Sequence, residues 1–330
     1  MIKKILVFMS GLCLILCGCS KSDKDTVMKE FSKKINNSDS YYLTGELEMF
    51  NNETSHNYDI KVSYTKENNF KVSLKNKSNN HEQIILRNSD GVFVVTPSLN
   101  KSFKFQSEWP YNNSQAYLLQ VILSDLENDK EMEFISNENQ YVLSSKVNYS
   151  NNDELEKQRV TLDKNFEVKT VEVLDKSGNV RIKMIFNDID YDAKFDTDYY
   201  KLESSVYSEV ESTKETTSID DISYPMYIPL NTTLSTQDKL ETETGERVIL
   251  TFSGENPFML IEETASISNE FVTIPVNGEI VMLGDAIGIM DETSLTWHTS
   301  DREYYLVSST LDTSSMLEVA NSIGSIPVIK

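Results

Sequence analysis

The sequence predicts a mainly β protein with a few helices, an α+β chain in which a large curved antiparallel sheet is followed by a smaller α+β unit. Three observations carry this. Apolar residues alternate with polar ones over most of residues 41–191, the period of strands that bury one face. The alternation is broken twice by helical spacing, once before it starts and once midway. A stretch rich in Ser, Thr and Glu, residues 204–223, has no sustained period and reads as a linker between two units.

The chain opens with Met-Ile-Lys-Lys and an apolar run from Ile5 to Leu16, the charged and apolar parts of a secretory signal over residues 1–19. The run is shorter than the roughly twenty apolar residues that a membrane-spanning helix needs. It ends Leu16, Cys17, Gly18, Cys19, which resembles the lipobox of bacterial lipoproteins. That resemblance implies cleavage after Gly18, a diacylglycerol on Cys19, and a chain held by lipid on the outer face of a cell or spore membrane. All three cysteines lie in this segment, so no disulfide is expected beyond it.

A first unit is expected over residues 20–203. Val27, Phe31 and Ile35 recur at helical spacing and end at Asn36 and Asn37. Strands follow: Leu43, Leu47 and Met49 on one face, then Tyr58, Ile60, Val62 and Tyr64, then Phe70, Val72 and Leu74, with Asn-rich turns between. Residues 83–87, 91–96 and 102–105 continue the sheet. Ser114 is placed to cap a second helix running to about Glu127, whose wide apolar face requires burial on more than one side. Strands resume at 131–135, 141–149, 158–162, 168–174 and 180–191, the last with Val180, Ile182, Met184 and Phe186 on one face. About a dozen strands and two helices make a curved sheet with the helices in its concavity. Leu47, Val62, Val72 and Met184 are the candidate lining of that concave side.

The second unit, residues 224–330, is expected to hold strands at 224–228, 247–252, 258–262, 271–274, 279–283, 295–298 and 304–308. A helix closes it, capped by Asp312 or Thr313, burying Met316, Leu317, Ala320 and Ile323, and stopped by Gly324.

The first unit resembles the LolA-like family, as found in lipid-anchored sporulation and germination lipoproteins of spore-forming Gram-positive bacteria, the GerS type among them. The likeness rests on the helix followed by paired strands, on Tyr41 to Met49 with Gly45 within, and on the run from Thr96 to Phe105 into Trp109-Pro110-Tyr111-Asn112-Asn113-Ser114-Gln115. The second unit is similar to a C-terminal domain found in related sporulation lipoproteins, through Tyr227 to Pro229 and Tyr305 to Leu311. The resemblance implies a half-barrel with an apolar concave side, no catalytic residues, and a setting in spore cortex formation or germination with a wall-modifying enzyme among the partners.

Formal net charge is −21. Such a surface repels nucleic acid and anionic headgroups, so no nucleic-acid partner is expected and attachment to a membrane falls to the lipid at Cys19. His56, His81 and His298 are scattered, with no H-E-x-x-H, G-x-S-x-G or phosphate-cradling loop. No catalytic, metal or cofactor site is therefore expected. Trp109, Pro110 and Tyr111 are the candidate partner surface, since aromatic side chains supply contact area and hydrogen bonding together; Trp109 plugging the sheet is the competing reading. Two functions follow from different classes: a protein-binding scaffold, or a lipid or lipoprotein binder that holds an acyl chain in the concave face.

Overall fold

The computed structural model describes residues 23–51, 54–206 and 218–325. Helix α1 (Lys24–Asn36) starts at Asp23, whose carboxylate accepts from the Thr26 amide at 2.8 Å, and turns Val27, Phe31 and Ile35 inward. Strands β1 (Ser40–Asn51), β2 (Thr54–Thr65), β3 (Asn69–Asn76), β4 (Glu82–Asn88), β5 (Gly91–Thr96) and β6 (Lys101–Phe105) follow. After α2 (Leu119–Asn128) come β7 (Glu133–Ser136), β8 (Gln140–Lys146), β9 (Leu155–Asp163), β10 (Val168–Asp175) and β11 (Val180–Asp190). All eleven strands join one sheet by antiparallel pairing, ordered β6-β5-β4-β3-β2-β1-β11-β10-β9-β8-β7. Both helices pack on one face of it, as the alternation requires.

The second half contributes β12 (Ser223–Pro225), β13 (Thr232–Thr242), β14 (Gly245–Gly254), β15 (Phe258–Thr264), β16 (Val272–Val276), β17 (Glu279–Met282), β18 (Ile287–Met290), β19 (Ser294–His298), β20 (Arg302–Val307), α3 (Thr313–Asn321) and β21 (Ile323–Ser325). Seven of these strands form a second sheet, β13-β14-β15-β20-β19-β18-β17, with α3 against one face. Strand β16 leaves it and pairs in parallel with β6, becoming the twelfth strand of the first sheet. Ile287 and Ile289 also enter the first core. The two halves thus share a sheet and a core, a joining that the separate unit read from sequence does not anticipate.

Several local expectations are corrected. The hydroxyl of Ser114 accepts from the Asn148 amide at 2.8 Å instead of capping α2, which begins five residues later at Leu119. Strand β13 escapes the periodicity reading because nine of its residues are exposed on both faces, leaving no alternation to detect. Strand β18 escapes it for the opposite reason, being four residues long and wholly buried. Ile323 is in β21, not α3. Strands β4 and β5 are buried on both faces, because Phe195, Tyr199, Tyr200 and Leu202 fold over Ile84, Leu86, Phe93 and Val95. The expected linker at 204–223 falls partly outside the described residues; of its described part, Ile219 is buried in the second core.

Gly45 sits at a register shift between β1 and β11, where a Cβ would collide with the Ile185 carbonyl oxygen and the Met184 side chain. Only glycine lets the two strands approach there.

Candidate functional site

An aromatic row crosses the helix-covered face of the first sheet and ends at the surface. Tyr41 stacks on Tyr64 at 5.1 Å, Tyr64 lies 5.0 Å from Phe70, and Phe70 meets Trp109 and Tyr111 edge-on at 6.0 and 6.2 Å. Such edge-on contacts add to what burial alone supplies. The Tyr41 hydroxyl donates to Gln120 of α2 at 2.8 Å, tying the row to the helix. The 109–111 segment contains a cis Trp109–Pro110 bond, and Arg87 donates to the Trp109 carbonyl. Trp109 is 2 % exposed and Pro110 is buried, so neither is a surface residue; Tyr111, at 56 %, is. The Tyr111 ring lies 5.5 Å from the Arg87 guanidinium, and its hydroxyl bonds the Asn68 side chain at 2.6 Å. Of the candidate partner surface, then, Tyr111 reaches solvent, and Phe70 lies between it and the buried Trp109.

The candidate lining residues come together as two cross-strand pairs, Leu47 with Met184 and Val62 with Val72. Each is at most 1 % exposed, and they belong to one core with Phe31 of α1 and Ile122 of α2. The helices therefore occupy the side of the sheet on which these residues lie. The two cavities described lie elsewhere, one at the junction of the sheets and one among Lys61, Lys71, Glu82 and Tyr199 on the other face.

The junction holds a buried polar cluster that sequence reasoning missed. Lys101 of β6 donates to Glu303 of β20 at 2.5 Å, and to Ser266 at 3.1 Å. Tyr305 donates to the other Glu303 oxygen at 3.0 Å. His298 lies against Phe103, ring centroids 4.9 Å apart, with Nδ1 3.7 Å from Glu303. Lys101, Glu303, Tyr305 and His298 line a cavity of about 340 Å³ walled also by Ile274, Val276 and Ile289. Burial pushes the imidazoles of His298 and His81 down to about 4, so both are neutral at pH 7. Burial works to raise the Glu303 carboxyl, but the adjacent His298, Lys101 and Tyr305 outweigh it and hold the group below its usual range. Lys101 and Glu303 lie 202 positions apart, and no motif joins them, so nothing in the sequence pairs them.

Leu16, Gly18 and Cys19 lie outside the described residues. Among the described residues no group of three or more His, Cys, Asp or Glu is placed to hold a metal, and no helix is long and apolar enough to cross a membrane.

No family model matches the chain. It is 32 % identical over 327 residues to a sporulation protein, YdcC, from Bacillus subtilis strain 168, covering 97 % of each chain. Among solved structures it is similar to a LolA superfamily protein from Nitrosomonas europaea (10 % identity, TM-score 0.32, 55 % of this chain and 98 % of that one). It is also similar to a chain in the structure of the CwlD amidase from Clostridioides difficile in complex with the GerS lipoprotein (21 % identity, TM-score 0.23, 53 % of this chain and 97 % of that one).

Proposed function

Because the chain belongs to the family of the Bacillus subtilis sporulation protein YdcC, we propose that it is a non-enzymatic envelope lipoprotein of sporulation, anchored through a lipid on Cys19, that acts as a protein-binding scaffold. The observation that carries the scaffold over the lipid binder is the occupation of the sheet's inner face by the chain's own helices. Leu47, Val62, Val72 and Met184 have at most 1 % of their surface free, whereas an acyl-chain site is a cleft of several hundred Å3 left open among such residues. The half-exposed Tyr111, held in place by Phe70, Arg87 and Asn68, is the kind of aromatic anchor that carries binding energy at protein interfaces. A wall-modifying enzyme is the partner class that the sporulation setting suggests.

The test compares full-length wild type with Cys19→Ala and Tyr111→Ala in sporulating cells. Cys19→Ala is expected to leave the membrane fraction. Tyr111→Ala is expected to stay there but to retrieve about ten-fold less partner from solubilised envelopes, the loss given by a contact worth ~1.4 kcal/mol. A wild type that is soluble, or that retrieves no protein, overturns the reading.

A further inference from the structure

We propose that the exposed apolar loop Met226–Leu230 is a docking surface for a second protein, one that offers an apolar cleft rimmed by lysine or arginine. It lies on the second half of the chain, apart from Tyr111, and rests on the scaffold reading.

Single exposed apolar residues are ordinary on any protein; a contiguous run of them is not. Met226 is 71 % exposed, Tyr227 40 %, Ile228 38 % and Leu230 85 %, and Leu234 at the start of β13 adds another 41 %. Only Pro229 interrupts the run, and it is buried. The segment is nonetheless held in one shape. Pro225 pairs with Ile323 across β12 and β21. The Met226 amide donates to the Ser322 carbonyl at 3.0 Å, and the Tyr227 amide to the Ser322 hydroxyl at 2.9 Å. The Thr232 amide closes the far end on the Pro229 carbonyl at 3.2 Å. Prolines on both sides of Met226–Ile228 fix φ at their own positions, so little conformational freedom is left to lose on binding.

Charge selects the occupant. The carboxylates of Glu318 and Asp312 act on Tyr227, and Asn231, next to Leu230, donates to Glu255 at 3.0 Å. Anionic headgroups would meet this rim and a chain of net charge −21, which opposes docking onto such a membrane. A second copy related by a two-fold axis would bring the same carboxylates against themselves. A basic rim around an apolar cleft satisfies both parts of the surface.

The experiment places the photo-crosslinker p-benzoylphenylalanine at position 230, and separately at position 111, of the full-length chain in sporulating cells. Position 230 is expected to label one protein, at a peptide whose apolar residues are flanked by Lys or Arg. Reversing the rim with Glu255→Lys and Glu318→Lys, both exposed, is expected to lower that yield about ten-fold. Adducts confined to lipid or to the chain itself, no adduct, or a yield indifferent to charge reversal would each overturn the proposal. A protein adduct at 111 with none at 230 removes this docking surface and leaves the scaffold; no protein adduct at either position removes both.

Discussion

Replacing Lys101 with methionine is expected to lower the stability of the chain by about 3–5 kcal/mol, because it leaves Glu303 charged, buried and without its cation. The pair spans the two halves. Lys101 is 8 % exposed in β6 and Glu303 7 % in β20, with Nζ and Oε1 2.5 Å apart. Desolvating two ions is costly, so the intact pair adds little net stability; removing one partner exposes the whole cost of the other. Glu303→Gln is expected to do less harm than Lys101→Met, since its amide oxygen, at the Oε1 position, can still accept from Lys101 and the Ser266 amide, while its NH2, at the other position, can donate to the Tyr305 hydroxyl. The double variant is expected to recover a large part of the loss, which makes the coupling readable in a double-mutant cycle from urea midpoints. A Lys101→Met midpoint unchanged within error would mean that the junction is hydrated and the pair is not a buried one.

Acid is expected to loosen the same junction before it reaches the carboxylates elsewhere. His81 and His298 are held down to about 4 by burial, against an ordinary 6.5. With the folded value depressed, the unfolded chain binds these protons first. The stabilising contribution is therefore whole above pH 6.5 and is lost as pH falls from there toward 4. A depression of that size corresponds to roughly 3 kcal/mol per histidine at the acid end. The lowered Glu303 carboxyl adds a further loss at lower pH, with the same sign. Urea midpoints measured from pH 7.5 to 4.5 are expected to fall steeply across that window. His298→Phe, which keeps the ring against Phe103, is expected to remove about half of the slope. A flat profile in the wild type would contradict the burial of both imidazoles.

The large sheet was legible because its strands bury one face and polar residues mark the other. Val180, Ile182, Met184 and Phe186 state their register in the sequence alone, and β11 duly pairs Met184 with Leu47. The helices were legible for the matching reason at a period of 3.6. What sequence reading missed has a common cause. Strand β13 is exposed on both faces and β18 buried on both, so neither alternates. The transfer of β16 to the edge of the first sheet depends on a parallel pairing of Val272 with Lys101 across some 170 residues, which no local pattern encodes.

The candidate surface was half legible. The Trp-Pro-Tyr cluster was found by composition, but nothing local says that Trp109 points into the core while Tyr111, two residues on, points out. The loop at Met226–Ile228 reads from sequence as a strand, since its apolar residues differ from core residues only in their exposure among the described residues. His298, beside Trp297 in a strand, reads from sequence as a structural imidazole and is one, 3 % exposed, whereas Lys101 and Glu303 look like ordinary surface residues until the two sheets are brought together.

The first sheet's inner face is closed by its own helices, and the scaffold proposal rests on that closure. Native mass spectrometry of the form starting at Ser20, expressed in a bacterium and followed by lipid extraction, tests this most directly. The expected result is the mass of the polypeptide alone and no lipid in the extract. A lipid retained in near-stoichiometric amount would contradict it and return the concave face around Met184 to a binding role.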